Sequence, residues 1–473
     1  MTDAATEQSR IAAQSMLQKI NQEKLQAMIT ARGTRPSYIY DDIDDHGNIK
    51  ATLIKYAECA DYLKYCEFHI VFFNKTLYIF DEDRCIYRPQ TNEIATHIRN
   101  TIVEWHITSG LKHTTLEMMA HLTAMGGELE YPFTGKYGTI HVKNGSLDLS
   151  TGILTPTTPE MMYDYRVETE YKQFPDGTPE LDVFLKIYGQ PTEPIDVMGK
   201  IIWQRAYHDT VKELTIFYGK RDCGKTTLAE LIEVTLAGSL DANSTVSRTL
   251  LGDLLQRFGM GNVSGKLMNF GDELPDMFVK NSGKICSLVG SIKQSIEKKG
   301  VDIYPAIANP YFLFTCNNLP PLDDDDSAMW AKIHLVWFNK EVPSQRIPRT
   351  ELFTQTLKEQ LLYRGVKKAL EYLQIPYINT QTPDAVRIEW QAATTDVDLF
   401  MVEGLTSDMT AETSLDIIKA HYEAWCAYNN KVRHMKYLNK KLQPFFRRHN
   451  TSNVYAVIIK DFKPVTAQSE LSN

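Results

Sequence analysis

The strongest chemical signal in the chain is an eight-residue loop, Gly219-Lys-Arg-Asp222-Cys223-Gly224-Lys225-Thr226, with the spacing G-x-x-x-x-G-K-[ST]. Glycines at those positions let backbone N–H groups wrap phosphates with no Cβ in the way. Lys225 then holds the β and γ phosphates as a point charge, and Thr226 offers its hydroxyl to Mg²⁺. The helix read from Thr227 to Leu236 turns the favourable end of its dipole toward the anion. The pattern predicts hydrolysis of a nucleoside triphosphate, ATP with Mg²⁺. Kinases, motors and switches share such a loop, so it does not choose among them.

Two further polar groups follow apolar runs. Asp272-Glu273 ends the run Lys266–Phe270, where α/β sheets place their ligand chemistry. There Asp272 suits Mg²⁺, directly or through water, and Glu273 suits activation of the attacking water. Thr315-Cys-Asn317-Asn318 ends the run Tyr311–Thr315 and puts an amide, Asn317 or Asn318, beside the expected γ-phosphate, where it can hold the lytic water without adding charge. Far downstream, Lys431, Arg433, Lys436, Lys440, Lys441, Arg447, Arg448 and Lys460 fall within thirty residues that contain no Asp or Glu.

These groups need elements to position them. The loop is preceded by the apolar strand Leu214–Tyr218, and Ile333–Phe338 reads as a further strand. Strands alternating with helices around the loop predict a three-layer α/β core with a mainly parallel sheet. Upstream, residues 69–73, 77–80 and 85–87 read as strands of a small sheet, and Ile94 to Leu122 reads as helical. Asn144-Gly145 signals a tight hairpin turn with positive φ angles, and helices are expected from Glu180 to Tyr207. Residues 4–32 read as one polar helix, either a solvated arm or a partner helix. At the far end, Leu415–Tyr428 and Lys436–Phe446 read as helices and Tyr455–Ile459 as hairpin-like.

Composition bounds the rest. A chain of 473 residues has room for roughly two to four domains. Its net charge of −8 argues mildly against a polyanionic partner, but the basic island outweighs the total. Seven scattered cysteines without a C-x-x-C pair fit neither a disulfide framework nor a zinc site. No apolar run is long enough to span a bilayer and the N-terminus is not signal-like. The expectation is a soluble protein of a reducing, cytoplasmic compartment with no membrane partner.

Taken together, Gly219–Thr226, Asp272-Glu273 and Phe312–Pro320 resemble motifs A, B and C of the superfamily 3 helicases, AAA+ ATPases of viruses, phages and plasmids. The phage, plasmid and poxvirus primase-helicase branch is the nearest in pattern. Asn144–Leu149, Thr151-Gly152 and Phe184-Leu185 resemble the domain that precedes the ATPase in that branch, so the likeness runs from about residue 70 to 345. The helical pattern near the start gives an N-terminal helical arm over 1–50, and the resemblance implies an α+β domain over 51–195, an AAA+ ATPase over 196–376 and a basic winged-helix-like domain over 396–473. It also implies a ring, a hexamer, moving 3′ to 5′ on DNA. Residues 292–305 match the family's channel hairpin, with Lys298 and Lys299 at its turn to grip single-stranded DNA. In the last domain Lys436, Lys440 and Lys441 would sit on duplex DNA, with Arg447 and Arg448 on its phosphates.

Two positions depart from the family pattern. Val289-Gly-Ser291 stands where Gly-Gly-Asp is usual, and Trp330-Ala-Lys332 stands where an aromatic residue precedes Arg-Arg. Lys332, Arg346 or Arg349 is then left to supply the cation that a ring ATPase lends to its neighbour's γ-phosphate. No paired-carboxylate and histidine pattern of a primase is legible, so a separate primase is the expected partner. The leading expectation is an ATP-dependent replicative helicase of a mobile element. A DNA-binding initiator that uses ATP as an assembly switch is the second, and a small-molecule kinase the third.

Overall fold

Apolar runs separated by helices become one parallel sheet because each strand is covered on both faces, which demands near-continuous apolar sequence. The computed structural model describes residues 35–460 apart from 126, 128–130, 241–244, 273, 275–281, 291–292, 299–300, 308–309, 318, 320–326, 343–346, 376–380, 395, 409, 430, 432 and 450–451. The helix expected over 4–32 therefore lies outside the described residues, as do Glu273, Lys299, Asn318 and Arg346.

The sheet strands are β1 (Leu214–Gly219), β2 (Val246–Ser247), β3 (Met268–Gly271), β4 (Tyr311–Cys316) and β5 (Ile333–Phe338). Their spatial order is β2-β3-β4-β1-β5, and every pairing is parallel. Leu214, Ile216, Phe312, Phe314 and Leu335 pack on one face with Leu288, Trp330 and Trp390. Phe217, Phe270, Leu313 and Val336 pack on the other. That second face meets helices α1 (Pro179–Tyr188), α2 (Glu193–Ala206), α3 (Lys225–Ala237) and α4 (Gln355–Tyr372). The chain is thus mixed α/β around a five-stranded parallel sheet, an arrangement compatible with a P-loop-like core. α3 begins two residues earlier than its sequence pattern indicated, because Gly224 at φ 83° caps it and lets Lys225 open the first turn.

Upstream, Val71–Phe73, Thr76–Asp81 and Ile86–Pro89 form the expected small antiparallel sheet. The helical stretch divides into Glu93–Glu104 and Leu111–Ala124, parted at the Thr-Ser-Gly of residues 108–110. These elements share a core of Tyr38, Ile54, Leu63, Ile98 and Met118. Residues 140–188 instead share the core of α2 and α3, so the span 51–195 is divided between two cores.

The hairpin Thr139–Val142/Gly145–Asp148 differs from the expectation in its turn. Val142 pairs with Gly145, so the turn residues are Lys143-Asn144, and neither has positive φ. Gly145, at φ 143°, is instead required by close approach, since a Cβ there would stand 2.6 Å from the Thr155 carbonyl oxygen. Asn144 serves as a clamp: its Nδ2 donates to Tyr171 O at 3.1 Å and its Oδ1 accepts from Tyr171 N at 3.0 Å.

At the far end, helices Asp396–Glu403, Leu415–Tyr428 and Met435–Leu442 enclose a separate core of Phe400, Tyr422, Trp425 and Leu438. The segment Tyr455–Ile459 is not itself a hairpin. Ser452–Tyr455 pairs with Phe446–His449, then the chain bends at Ala456, whose N–H donates to Phe445 O at 2.8 Å, and Val457–Ile459 crosses to Leu405–Ser407. Among the described residues no helix is long and apolar enough to cross a membrane, and the seven cysteines carry free thiols.

Candidate functional site

Because the five strands run parallel, β1, β3 and β4 deliver their carboxyl ends to one edge of the sheet, and there a cleft of about 250 Å³ opens. It is lined by residues 221–227, Asp272, Thr315, Cys316, Asn317 and Arg349. The loop after β1 is shaped by residues with positive φ: Gly219 at 143°, Asp222 at 60° and Gly224 at 83°. Side chains at the two glycines would collide, with a Cβ on Gly219 standing 2.1 Å from Phe338 O and one on Gly224 standing 2.1 Å from the Tyr188 ring. Tyr188, at the end of α1, braces the loop from outside against Gly224. The result is a backbone cradle whose N–H groups are available to an anion.

Lys225 occupies the middle of the cradle. Its ammonium donates to Gly219 O at 2.7 Å, Lys220 O at 2.6 Å and Asn317 Oδ1 at 3.1 Å, using all three donors on its own chain. Burial lowers its pKa from the ordinary lysine value, since the charged form is the one that loses water. An anion entering the cleft would compete with these acceptors and offset the hydration that burial removes.

Asp272 follows β3 directly and lines the same cleft as Thr226. The Thr315 hydroxyl donates to Asp272 Oδ1 at 2.6 Å. Arg349 also lines the cleft, with its Nε 2.6 Å from Glu230 Oε2 on α3. Burial raises the Glu230 pKa, an effect that the Arg349 charge opposes. Beside it Arg248 pairs with Glu233 at 2.6 Å and lies over the Phe270 ring.

The structure brings together Asp222, Cys223, Gly224, Lys225, Thr226, Thr227, Asp272 and Asn317 around the cleft, with Gly219 joined to them through its carbonyl on Lys225. It does not bring Lys332 to them. Lys332 precedes β5, and its carbonyl accepts from Leu214 N at 2.8 Å, so it lies at the opposite edge of the sheet from the cleft of its own chain. Arg349, which the sequence offered as a cation for a neighbour, faces its own chain's cleft. Thr315 was legible only as a strand residue, because nothing in its local sequence announces a bond to a residue forty-three positions away.

Residues 293–298 and 301–307 form the expected antiparallel hairpin, with Lys298 opposite Val301. Arg257 anchors it through Glu297 at 2.6 Å. In the basic island, Lys431 pairs with Asp396 at 2.8 Å and Arg433 lies 3.6 Å from Glu423. Lys436 and Arg447 are exposed, while Lys441 is half-buried with its ammonium over the Tyr437 ring. Lys440 lies on the same helix as Lys436, and Arg448 on the strand Phe446–His449.

Glu193, Asp196 and His334 also approach one another closely enough to hold a metal. Lys200 already lies 2.8 Å from Asp196 Oδ2, and the Tyr372 hydroxyl donates to Asp196 Oδ1. This carboxylate is therefore neutralised by Lys200 and hydrogen-bonded by Tyr372 without a metal ion.

Residues 217–329, from within β1 to just before β5, match a family model described as a family of unknown function, DUF5906. No curated protein matches the chain. Among solved structures, an A-form apo structure of the NrS-1 C-terminal region is similar at 12% identity and a TM-score of 0.39, covering 83% of this chain and 96% of that one. Another apo structure of the same region is similar at 10% identity and a TM-score of 0.42, with the same coverage. The fold defines a mixed α/β protein whose five-stranded parallel sheet is compatible with a P-loop-like core, and the family match spans the loop, the acid and the amide that line its cleft.

Proposed function

We propose that the chain is an ATP-dependent DNA helicase of the superfamily 3, AAA+ kind, working as a homo-oligomeric ring, a hexamer, in replication of a mobile element. The observation that carries this reading is the convergence of Lys225, Thr226, Asp272 and Asn317 on one cleft, with the amide-bearing strand β4 inserted between the loop strand and the acid-bearing strand. ATP fits a loop whose glycines leave room for phosphates and whose lysine has three exchangeable partners. Thr226 and Asp272 would hold Mg²⁺, which neutralises phosphate charge when bound. Lys225 binds the phosphates, Asn317 orients the attacking water once Lys225 releases it, and Glu273 takes the water's proton. The hairpin carrying Lys298 and Lys299 grips single-stranded DNA, and the winged-helix-like end presents Lys436, Lys440, Lys441, Arg447 and Arg448 to duplex. A separate primase would act beside it, in a cytoplasmic setting.

A second reading, an initiator in which ATP switches assembly, is favoured by one observation: Arg349, a candidate for the cation lent to a neighbour, faces its own chain's cleft. The two readings are tested together by measuring ATP hydrolysis with and without single-stranded DNA and displacement of a labelled strand from a forked duplex. The helicase reading expects hydrolysis stimulated by DNA, both activities lost in Lys225→Ala, and unwinding alone lost in Lys298→Ala/Lys299→Ala. Hydrolysis indifferent to DNA, with no strand displaced and ATP still changing the oligomeric state, would sink the helicase and leave the switch.

A further inference from the structure

The ladder between β3 and β4 ends at Gly271 opposite Phe314. The next pair in register would be Asp272 and Thr315, but in its place stand two other bonds. The Thr315 hydroxyl donates to Asp272 Oδ1 at 2.6 Å, and Leu274 N donates to Thr315 O at 3.0 Å. Asp272 and Leu274 are thus both stapled to Thr315 at the end of β4, two residues before Asn317. Thr315 itself is 2% exposed, so its hydroxyl has no access to bulk water and needs a protein partner. An O–H···O⁻ bond of this length is charge-assisted. It fixes the rotation of the carboxylate, and among the described residues Oδ2 is the oxygen left to meet a cation.

Resting on the nucleotide reading above, we infer that Thr315 is the positioning residue that aims Asp272 at Mg²⁺. Its hydroxyl is committed to Asp272 Oδ1, so it acts through that carboxylate. Its role follows from the general behaviour of ligand carboxylates, whose outer partners set orientation and whose loss weakens metal affinity about 10- to 100-fold. A purely packing role is the competing account, since a buried threonine at the end of a strand fills the space that valine fills.

Binding of a fluorescent ATP analogue to the full chain, first in EDTA and then titrated with Mg²⁺, separates these accounts without relying on turnover. Wild type is expected to bind in EDTA and to tighten as Mg²⁺ is added. Thr315→Val is expected to bind equally in EDTA but to need about 10- to 100-fold more Mg²⁺ for the same tightening, while Thr315→Ser, which keeps the hydroxyl, behaves as wild type. A thermal melt of each variant accompanies the titration. Valine and serine variants that both match wild type overturn the inference, as do two variants weakened alike, which would assign the effect to packing. If wild type binds no nucleotide in either condition, the nucleotide reading fails and takes the inference with it. Failure of Thr315→Val to fold leaves the serine variant against Asp272→Asn as the comparison: a serine variant as weak in Mg²⁺ as Asp272→Asn overturns the inference, and one matching wild type supports it.

Discussion

Arg221, Lys225 and Arg349 line one cleft, and two of these cations are already held by their own chain: Lys225 by two loop carbonyls and Asn317, Arg349 by the half-buried Glu230. In the proposed nucleotide complex a phosphate group would draw them away from these partners, so binding would be an exchange of bonds and not a simple addition. Arg349 is therefore expected to act on the nucleotide of its own subunit. Arg349→Ala should lower hydrolysis by about 10² to 10³-fold, the usual cost of removing one preorganised donor. Mixing Arg349→Ala with Lys225→Ala subunits decides between same-subunit and neighbour action. A cation that acts within its own chain gives no recovery on mixing, whereas a finger lent to a neighbour restores sites that pair an intact loop with an intact Arg349. The loop, the acid and the amide were legible because each ends an apolar run in a pattern that few other chemistries use. Arg349 was legible only as one of three candidates, since the path that returns residue 349 to the loop is tertiary.

At the scale of elements, α2 is tied to the sheet by charge as well as by apolar packing. Lys200, 1% exposed, pairs with Glu213 just before β1 and with Asp196, and the Tyr311 hydroxyl of β4 donates to Glu213 at 2.9 Å. Removing one member leaves an uncompensated buried charge. Lys200→Met is expected to lower unfolding stability by about 3–5 kcal/mol, read as a shifted denaturation midpoint. Glu213→Gln in that background should recover part of the loss, because it removes the orphaned charge and keeps an acceptor for Tyr311. If the double variant is no more stable than the single one, helix packing and not charge holds α2 in place. This network was invisible in the sequence because a lysine amid apolar residues reads as an exposed position. The core strands β1, β3, β4 and β5 were visible because burial on both faces writes itself as an apolar run. β2 was not, because two residues carry no period.

Across the whole molecule, the hairpin of residues 293–307 does not stand alone. Ile296 is fully buried against Phe73 of the upstream sheet, with Tyr78, Tyr131 and Met260 around it, and the Phe73 and Tyr131 rings meet edge to face at 5.6 Å. Tyr131 donates to Asp164, which pairs at 2.7 Å with Arg205 of α2, itself stacked on Tyr165. The segment proposed to grip DNA is thereby seated on the N-terminal region, and through it on a helix of the sheet core. No periodicity or motif could announce this, because it depends on a contact between residues more than two hundred positions apart. A physical chain of contacts is not in itself coupling, but it makes a definite claim about local stability. Phe73→Ala removes the wall against which Ile296 packs, and a buried Phe→Ala change costs about 3–5 kcal/mol where the site cannot collapse. Native-state hydrogen exchange should then show faster exchange of the amides of 293–298 and 301–307 as well as those of 71–81, while β1 and β4 keep their protection. Acceleration confined to 71–81 would mean that the hairpin holds its fold through Arg257 and its own ladder. In that case the N-terminal region could be removed without freeing the hairpin.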